Sequence, residues 1–409
     1  RLIAPGFAAD PEKFALVVDL TRVTFPYLLF ISLTALLGGL LNAVDRFAAP
    51  AATPILLNLF LIGALLLMVQ FGWQGGHALA WALAAAGVAQ FLWLMQSCAR
   101  AGVALRLRLP RLTPRVKEAL RIMGPGVLGA GVTQLNLVVS TALASLLPGG
   151  SVSYLYYADR LNQLPLGVVG IAIGTAILPP LSRQARSGDG DGAAATQNRG
   201  VELALLLTLP AAAGLMILAQ PILGVLFQRG AFGPAETAAT AAALAAYAAG
   251  LPAFVLVKVL APGFFAHRNT ATPVKVAVAA MALNLALTLV LMQFLAHVGV
   301  ALALSVAGWM QALALLVLLS RHGHFRLDRR ALRNTPRIAV ATLGMTAILV
   351  LLSLLLAPAL AGSTMLRLAA LAGLIAAGLV TFAGLALALG VADWRELRGR
   401  LMRSPGQPA

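Results

Sequence analysis

An acid and a base stand side by side, Asp159-Arg160, inside an otherwise apolar stretch from Tyr154 to Leu178. A charge near the bilayer centre costs about 2.5 to 3.5 kcal/mol on insertion scales, so both residues are expected to face a bundle interior or a wet cavity. Sequence neighbours on a helix point about 100° apart, so the pair need not neutralise itself. At helical spacing Arg160 shares a face with Ser153, Tyr156, Tyr157, Gln163 and Gly167. A guanidinium on such a polar stripe suits an anionic headgroup, because its planar fork makes paired bonds to phosphate oxygens. Arg160, Asp159, Ser153, Tyr157 and Gln163 are therefore the expected substrate-binding residues. The competing reading is a structural arginine paired with a carboxylate of another helix.

Other polar residues in apolar segments are candidates for a pathway or a gate. Lys258 lies six residues before Phe264, where it either serves a pathway or snorkels to the interface. Gln134, Asn136, Asn58 and Asn284 either line a pathway or join helices by hydrogen bonds, the second being the usual role of such residues. Arg46 and Arg268 each precede a Thr-Pro pair, Thr53-Pro54 and Thr272-Pro273. Pro165, Gly170 and Gly174 read as a kink and close helix packing. Covalent chemistry has no foothold. None of the four lysines follows a glycine as a phosphate-loop lysine must, and no nucleophile-base or paired-carboxylate arrangement is visible. His322-x-His324 stands in an arginine-rich loop with only Asp328 nearby, so no metal site is expected. The reading is a transporter without enzymatic activity or cofactor, driven by membrane potential or an ion gradient.

The elements that position these residues are long apolar segments. With 60% hydrophobic and 11% charged residues and a mean hydropathy of +0.90, the chain is an all-α integral membrane protein. A spanning helix needs about 20 mostly apolar residues, and about eleven such runs are present. They lie near Thr24–Leu41, Pro54–Phe71, Ala78–Cys98, Ile122–Leu147, Tyr154–Leu178, Leu203–Phe227, Ala238–Phe264, Val276–Phe294, Val298–Leu319, Ile338–Leu356 and Leu368–Leu389. Twenty-three of the 30 Lys and Arg residues fall in alternate gaps between these runs, against five in the opposite gaps and the N-terminal flank. Cytoplasmic loops retain such an excess, so the C-terminus is expected inside. The net charge of +17 then faces anionic membrane lipids rather than nucleic acid. Asp10–Thr21 suits a short amphipathic helix at the outer surface. Ser187–Asn198 reads as a flexible cytoplasmic linker; its Gly-Asp run lacks the glutamate an EF-hand requires. The single cysteine, Cys98, says nothing of redox compartment.

The two Thr-Pro helices each lead, two spans later, into a basic loop, opening at Arg100 and Arg321. They read as parallel internal repeats about an axis along the membrane normal. Three spans lack repeat partners and the chain opens Arg-Leu-Ile, so three preceding helices are expected to be missing. The expected division is 1–115 as the rest of an N-terminal lobe, 116–325 as a six-helix lobe, and 326–409 as two additional helices with a basic tail.

Several short motifs occur in order: Phe25-Pro26-Tyr27-Leu28-Leu29, Leu40-Leu41-Asn42, Arg46-Phe47, Thr53-Pro54, Tyr156-Tyr157-Ala158-Asp159-Arg160-Leu161 and Lys258-Val259-Leu260-Ala261-Pro262-Gly263-Phe264. Together they resemble the MurJ (MviN) family of lipid II flippases, within the multidrug, oligosaccharidyl-lipid and polysaccharide exporter superfamily. The resemblance implies an incomplete fourteen-helix, two-lobe exporter fold, of which this chain is similar to helices four to fourteen. It implies alternating access that moves undecaprenyl-diphosphate-linked disaccharide-pentapeptide from the inner to the outer leaflet of the bacterial cytoplasmic membrane for cell-wall synthesis. It also implies that Arg160 is a cavity arginine essential to flipping, with Asp159 beside it. Sodium-binding relatives carry an acid on helix seven and Asn-x-x-x-Asp on helix eleven. Here Asn284 is followed by Thr288 and Ile122–Leu147 holds no acid, which argues against that site. Competing readings are a drug/cation antiporter, another lipid-linked oligosaccharide flippase, or a non-transporting scaffold among cell-wall synthesis or division proteins. The first should present cavity acids rather than an arginine.

Overall fold

The structure, a computed structural model, describes residues 5–72, 75–103, 112–267, 269–323 and 325–391. Among them the chain is helical, with no β-strand beyond one isolated bridge between Arg229 and Phe232. Nine helices among the described residues are long and apolar enough to cross a membrane. The chain forms two compact units, Phe7–Gly126 and the part from Val127 onward, to which Gly6 also belongs.

In the first unit α1 (Pro11–Thr24) starts where Asp10 accepts the Lys13 amide at 3.1 Å, and Pro11 supplies a φ already set for a helix. The helix expected at Asp10–Thr21 is thus present, beginning one residue later and ending three residues later. Pro26 then opens α2 (Pro26–Ala43). Within α3 (Ala48–Phe71) Pro54 donates no amide hydrogen bond. The Thr53 hydroxyl instead reaches the Pro50 carbonyl at 2.8 Å. Buried Gln90 on α4 (Gly75–Arg100) donates to the Thr53 carbonyl, also at 2.8 Å. Leu37 and Leu41 meet Leu94 and Cys98 in the core of this unit.

A long helix, α5 (Pro114–Ala144), runs into the second unit. Next comes one crossing in three pieces: α6 (Ser151–Pro165), a π-helical turn over Leu166–Ile171, and α7 (Ala172–Ser187). Pro165 breaks the ladder there, and a widened turn absorbs the misfit. The linker expected at Ser187–Asn198 is a correction. Gly188 takes a left-handed φ of 74°, Asp189 caps the Gly192 amide at 2.9 Å, and α8 (Gly190–Leu226) begins at once. Loop-forming Gly and Asp residues here make a tight turn and an N-cap rather than a linker.

Of the nine candidate spans the most enclosed is α9 (Pro234–Ala266). Leu251, Val255, Val259, Leu260 and Phe264 pack with Ile177 and Leu181 of α7, Leu205 of α8, and Leu315 and Leu319 of α10 (Ala271–Arg321). The helical run of α10 is broken at Ala296, with φ 46° and ψ −129°. The chain reverses so sharply that a Cβ on Gly299 would come within 2.4 Å of the Leu291 carbonyl oxygen. The break falls between the two spans expected at Val276–Phe294 and Val298–Leu319. After it, Ser305 and Trp309 donate to the Ala246 and Ala249 carbonyls of α9 at 2.6 and 2.9 Å. The last elements are α11 (Arg329–Leu355), the short α12 (Ala357–Leu360) and α13 (Thr364–Ala388). Met345, Leu349 and Leu374 of this hairpin pack on Ala213 and Leu218 of α8.

Candidate functional site

Gly150, at φ 93°, turns the chain into α6, a conformation that costs glycine little. From there Leu155, Ala158, Leu161 and Asn162 are buried, while Ser153, Tyr156, Arg160 and Gln163 are exposed. The helical repeat thus turns Leu155, Ala158 and Leu161 inward together with polar Asn162, and puts Ser153, Tyr156, Arg160 and Gln163 on the exposed side. Arg160 donates from Nη2 to the Tyr156 hydroxyl at 3.1 Å, and its guanidinium carbon lies 5.5 Å from that ring's centroid. Tyr156 therefore steers the cation through both a hydrogen bond and its π face. Gln163 donates its amide to the Asp159 carboxylate one turn away. The carboxylate is thus engaged by an amide rather than by the neighbouring guanidinium. Among the described residues the two ion pairs are His77–Asp19 and Arg330–Glu202, so no carboxylate there neutralises Arg160.

Tyr157 is placed differently from its stripe neighbours. It is half-buried, its ring 4.9 Å from Phe227 and 5.5 Å from Phe232 between centroids. It braces α6 against the turn between α8 and α9, with its ring edge-on to Tyr156 at 6.2 Å. That brace was invisible from helical spacing alone, because Phe227 and Phe232 come from a distant segment.

The polar residues on other helices divide. Asn284 donates to Asn136 at 3.0 Å, joining α10 to α5, which is the interhelical bond expected of such residues. Asn284 and Thr288 are 3% and 1% exposed, and the Asn284 Oδ1 and Thr288 Oγ1 have no protein partner. Gln134 is exposed on α5 and Lys258 exposed on α9. Arg46 is exposed in the turn after α2, its amide bonded to the Leu41 carbonyl at 2.9 Å. Arg268 lies outside the described residues, as does His324. The sequence reading also missed Asn162, whose buried Oδ1 lacks a partner, and Glu202, which is 8% exposed on α8. A carboxylate one residue before an apolar run was a signal that could have found the second.

A guanidinium held by a tyrosine on a polar helix stripe, with no carboxylate paired to it among the described residues, can bind an anion. Comparison with known proteins agrees. The family model described as "Lipid II flippase MurJ" matches residues 1–371. The probable lipid II flippase MurJ of Rhizobium meliloti (strain 1021) is 42% identical over 412 residues, covering 98% of this chain and 76% of that protein. The lipid II flippase MurJ of Burkholderia cenocepacia is 34% identical over 345 residues, covering 83% of this chain and 67% of its own length. A solved structure titled "Lipid II flippase MurJ, inward closed conformation" superposes with a TM-score of 0.76 at 25% identity, over 94% of this chain and 76% of that one. With the family model spanning most of its length, these relatives along it and the same fold, this multi-pass membrane chain belongs to the MurJ family of lipid II flippases.

Proposed function

We propose that this chain translocates lipid II, with Arg160 gripping the diphosphate while Asp159, Ser153, Gln163 and Tyr156 shape the surrounding polar face and Tyr157 braces it. The observation that carries this reading is the Arg160 guanidinium, bonded to Tyr156 rather than to a carboxylate. Two parallel guanidinium bonds match the oxygens of a diphosphate, whereas a cation antiporter needs acids at that position. The lobes and additional helices expected from the sequence supply the frame, with eleven crossings if α5 counts as one and α10 as two. The C-terminus lies inside on the strength of the asymmetric basic loops, and the direction, from the cytoplasmic leaflet outward, is the one that membership in the flippase family implies. Membrane potential supplies about 2.3 kcal/mol per charge per 100 mV, enough to bias the cycle without a nucleotide.

The test is Arg160→Ala in the full-length protein, in a bacterial strain depleted of its own lipid II flippase. Abundance and membrane insertion should stay near normal while translocation is lost. Arg160→Lys should restore only part of it, since an ammonium lacks the planar fork. Low abundance of Arg160→Ala with a normal rate per molecule would make the residue structural.

A further inference from the structure

Two side-chain pairs, each spanning one turn, stand beside one another on α6: Tyr156 with Arg160, and Asp159 with Gln163. The first presents donors. Arg160 directs one N–H to the Tyr156 hydroxyl and keeps the rest of its fork. The second presents acceptors. The Gln163 amide nitrogen is turned to Asp159 Oδ2, which fixes the flip of that side chain and aims its carbonyl oxygen elsewhere. Asp159 Oδ1 has no hydrogen bond or ion pair to a described residue. Asp159 is half-buried and Gln163 exposed. An acid placed only to hold the arginine would pair with it. Here the acid instead orients a glutamine and keeps one oxygen free.

A carboxylate next to an anion site is a liability for a bare anion. Asp159 lies eight residues into α6 from Ser151, about 12 Å along the axis, where repulsion between it and a diphosphate on Arg160 is weakly screened. A ligand with hydroxyl or amide donors beside its phosphates meets the same carboxylate with charge-assisted hydrogen bonds instead. The lipid-linked saccharide is such a ligand, because its first sugar is joined to the diphosphate through a single oxygen. We propose that Asp159 and Gln163 are the specificity-determining acceptors of the pathway, bonding hydroxyl and amide groups of the sugar next to the diphosphate and turning away polyprenyl diphosphate that carries no sugar. The proposal rests on the Arg160 reading above. Selectivity here combines attraction of one ligand with repulsion of its competitor. A site built to bond a substrate's donors rejects the analogue lacking them, since its own polar groups then go unpaired.

The full-length protein should be reconstituted in vesicles as wild type, Asp159→Asn, Gln163→Leu and Arg160→Ala. Lipid II translocation is scored per inserted molecule, alone and against added undecaprenyl diphosphate. Asparagine keeps the shape and an oxygen for the Gln163 amide but removes the charge. Undecaprenyl diphosphate should therefore inhibit Asp159→Asn at a concentration about tenfold or more below that for wild type, while uninhibited transport falls about threefold or more. No shift in the inhibitory concentration, including no inhibition of either protein, would overturn the proposal and leave the acid as a support of the helix. Gln163→Leu, at an exposed position, decides should Asp159→Asn fail to insert. It keeps the carboxylate and loses an acceptor, so lipid II transport should fall about threefold without easier inhibition; a wild-type rate would overturn the acceptor role. Normal transport by Arg160→Ala with the expected shift in Asp159→Asn would sink the Arg160 assignment and leave the selectivity standing. Lost transport in Arg160→Ala with no shift in Asp159→Asn would do the opposite.

Discussion

Asn334 of α11 donates its amide to the carboxylate of Glu202 of α8 at 2.6 Å, while Arg330 approaches the other carboxylate oxygen at 3.3 Å. One turn earlier on α8, Asn198 donates to the Arg326 carbonyl at 2.8 Å. These contacts tie the entry to the α11–α13 hairpin onto α8, where apolar packing alone would allow sliding. Glu202→Ala should leave Asn334 buried without its acceptor, at a cost of about 1.5 to 3 kcal/mol for a hydrogen bond to a charged group. Thermal unfolding in detergent should show a lower midpoint, with Glu202→Gln falling less because its amide oxygen still accepts from Asn334. Equal midpoints for wild type and Glu202→Ala would mean that the pair adds nothing to the docking.

The reversal inside α10 depends on a missing side chain. Gly299 faces the Leu291 carbonyl and the Met292 amide, at 2.4 and 2.9 Å from where a Cβ would lie. Both are backbone atoms, which cannot swing aside. Gly299→Ala should therefore cost about 1 to 3 kcal/mol, the range of an overpacked core, read as lower abundance and earlier unfolding. Gly214→Ala, with nothing near its Cβ position, is the matched control and should be close to neutral.

The contrast between these two features and Arg160 marks what the sequence could carry. Asp159-Arg160 was legible because charges in an apolar run need no partner to stand out. The α6 stripe was legible because helical spacing alone sorts Arg160 and Gln163 from Leu155 and Ala158. Glu202–Asn334 was not, since its two halves are 132 residues apart and each alone reads as an ordinary polar residue at a helix end. Tyr157 was assigned to the stripe by spacing, yet rings from a distant turn draw it into packing. The Ser187–Asn198 misreading has a local cause: glycine and aspartate favour loops by composition but also terminate and cap helices, and only three-dimensional position separates the two.

Orientation can be tested on residues whose exposure is known. Cys98 is the single cysteine and is buried, so a Cys98→Ala background is silent. Ser187, the last residue of α7, and Ala231, between α8 and α9, are both exposed. The basic-loop asymmetry puts the first inside and the second outside. In intact cells an impermeant thiol reagent should label Ala231→Cys and leave Ser187→Cys until the membrane is opened. Labelling in the opposite order would overturn the assigned orientation.

Tyr156 offers a graded probe of the Arg160 site. Its hydroxyl accepts from Arg160 at 3.1 Å while its ring lies under the guanidinium, so Tyr156→Phe removes the hydrogen bond and keeps the π face. A neutral acceptor of this kind contributes about 1 kcal/mol, so translocation should slow by roughly fivefold, well short of the loss in Arg160→Ala. Tyr156→Ala removes the ring as well and should slow transport further, because the cation then loses both restraints on its direction. Abundance should hold in both variants, since Tyr156 is 60% exposed and supports little packing. A Tyr156→Phe protein that translocates at the wild-type rate would show that the tyrosine hydroxyl does not orient the arginine for transport. An outright loss equal to that of Arg160→Ala would place the hydroxyl on the substrate itself.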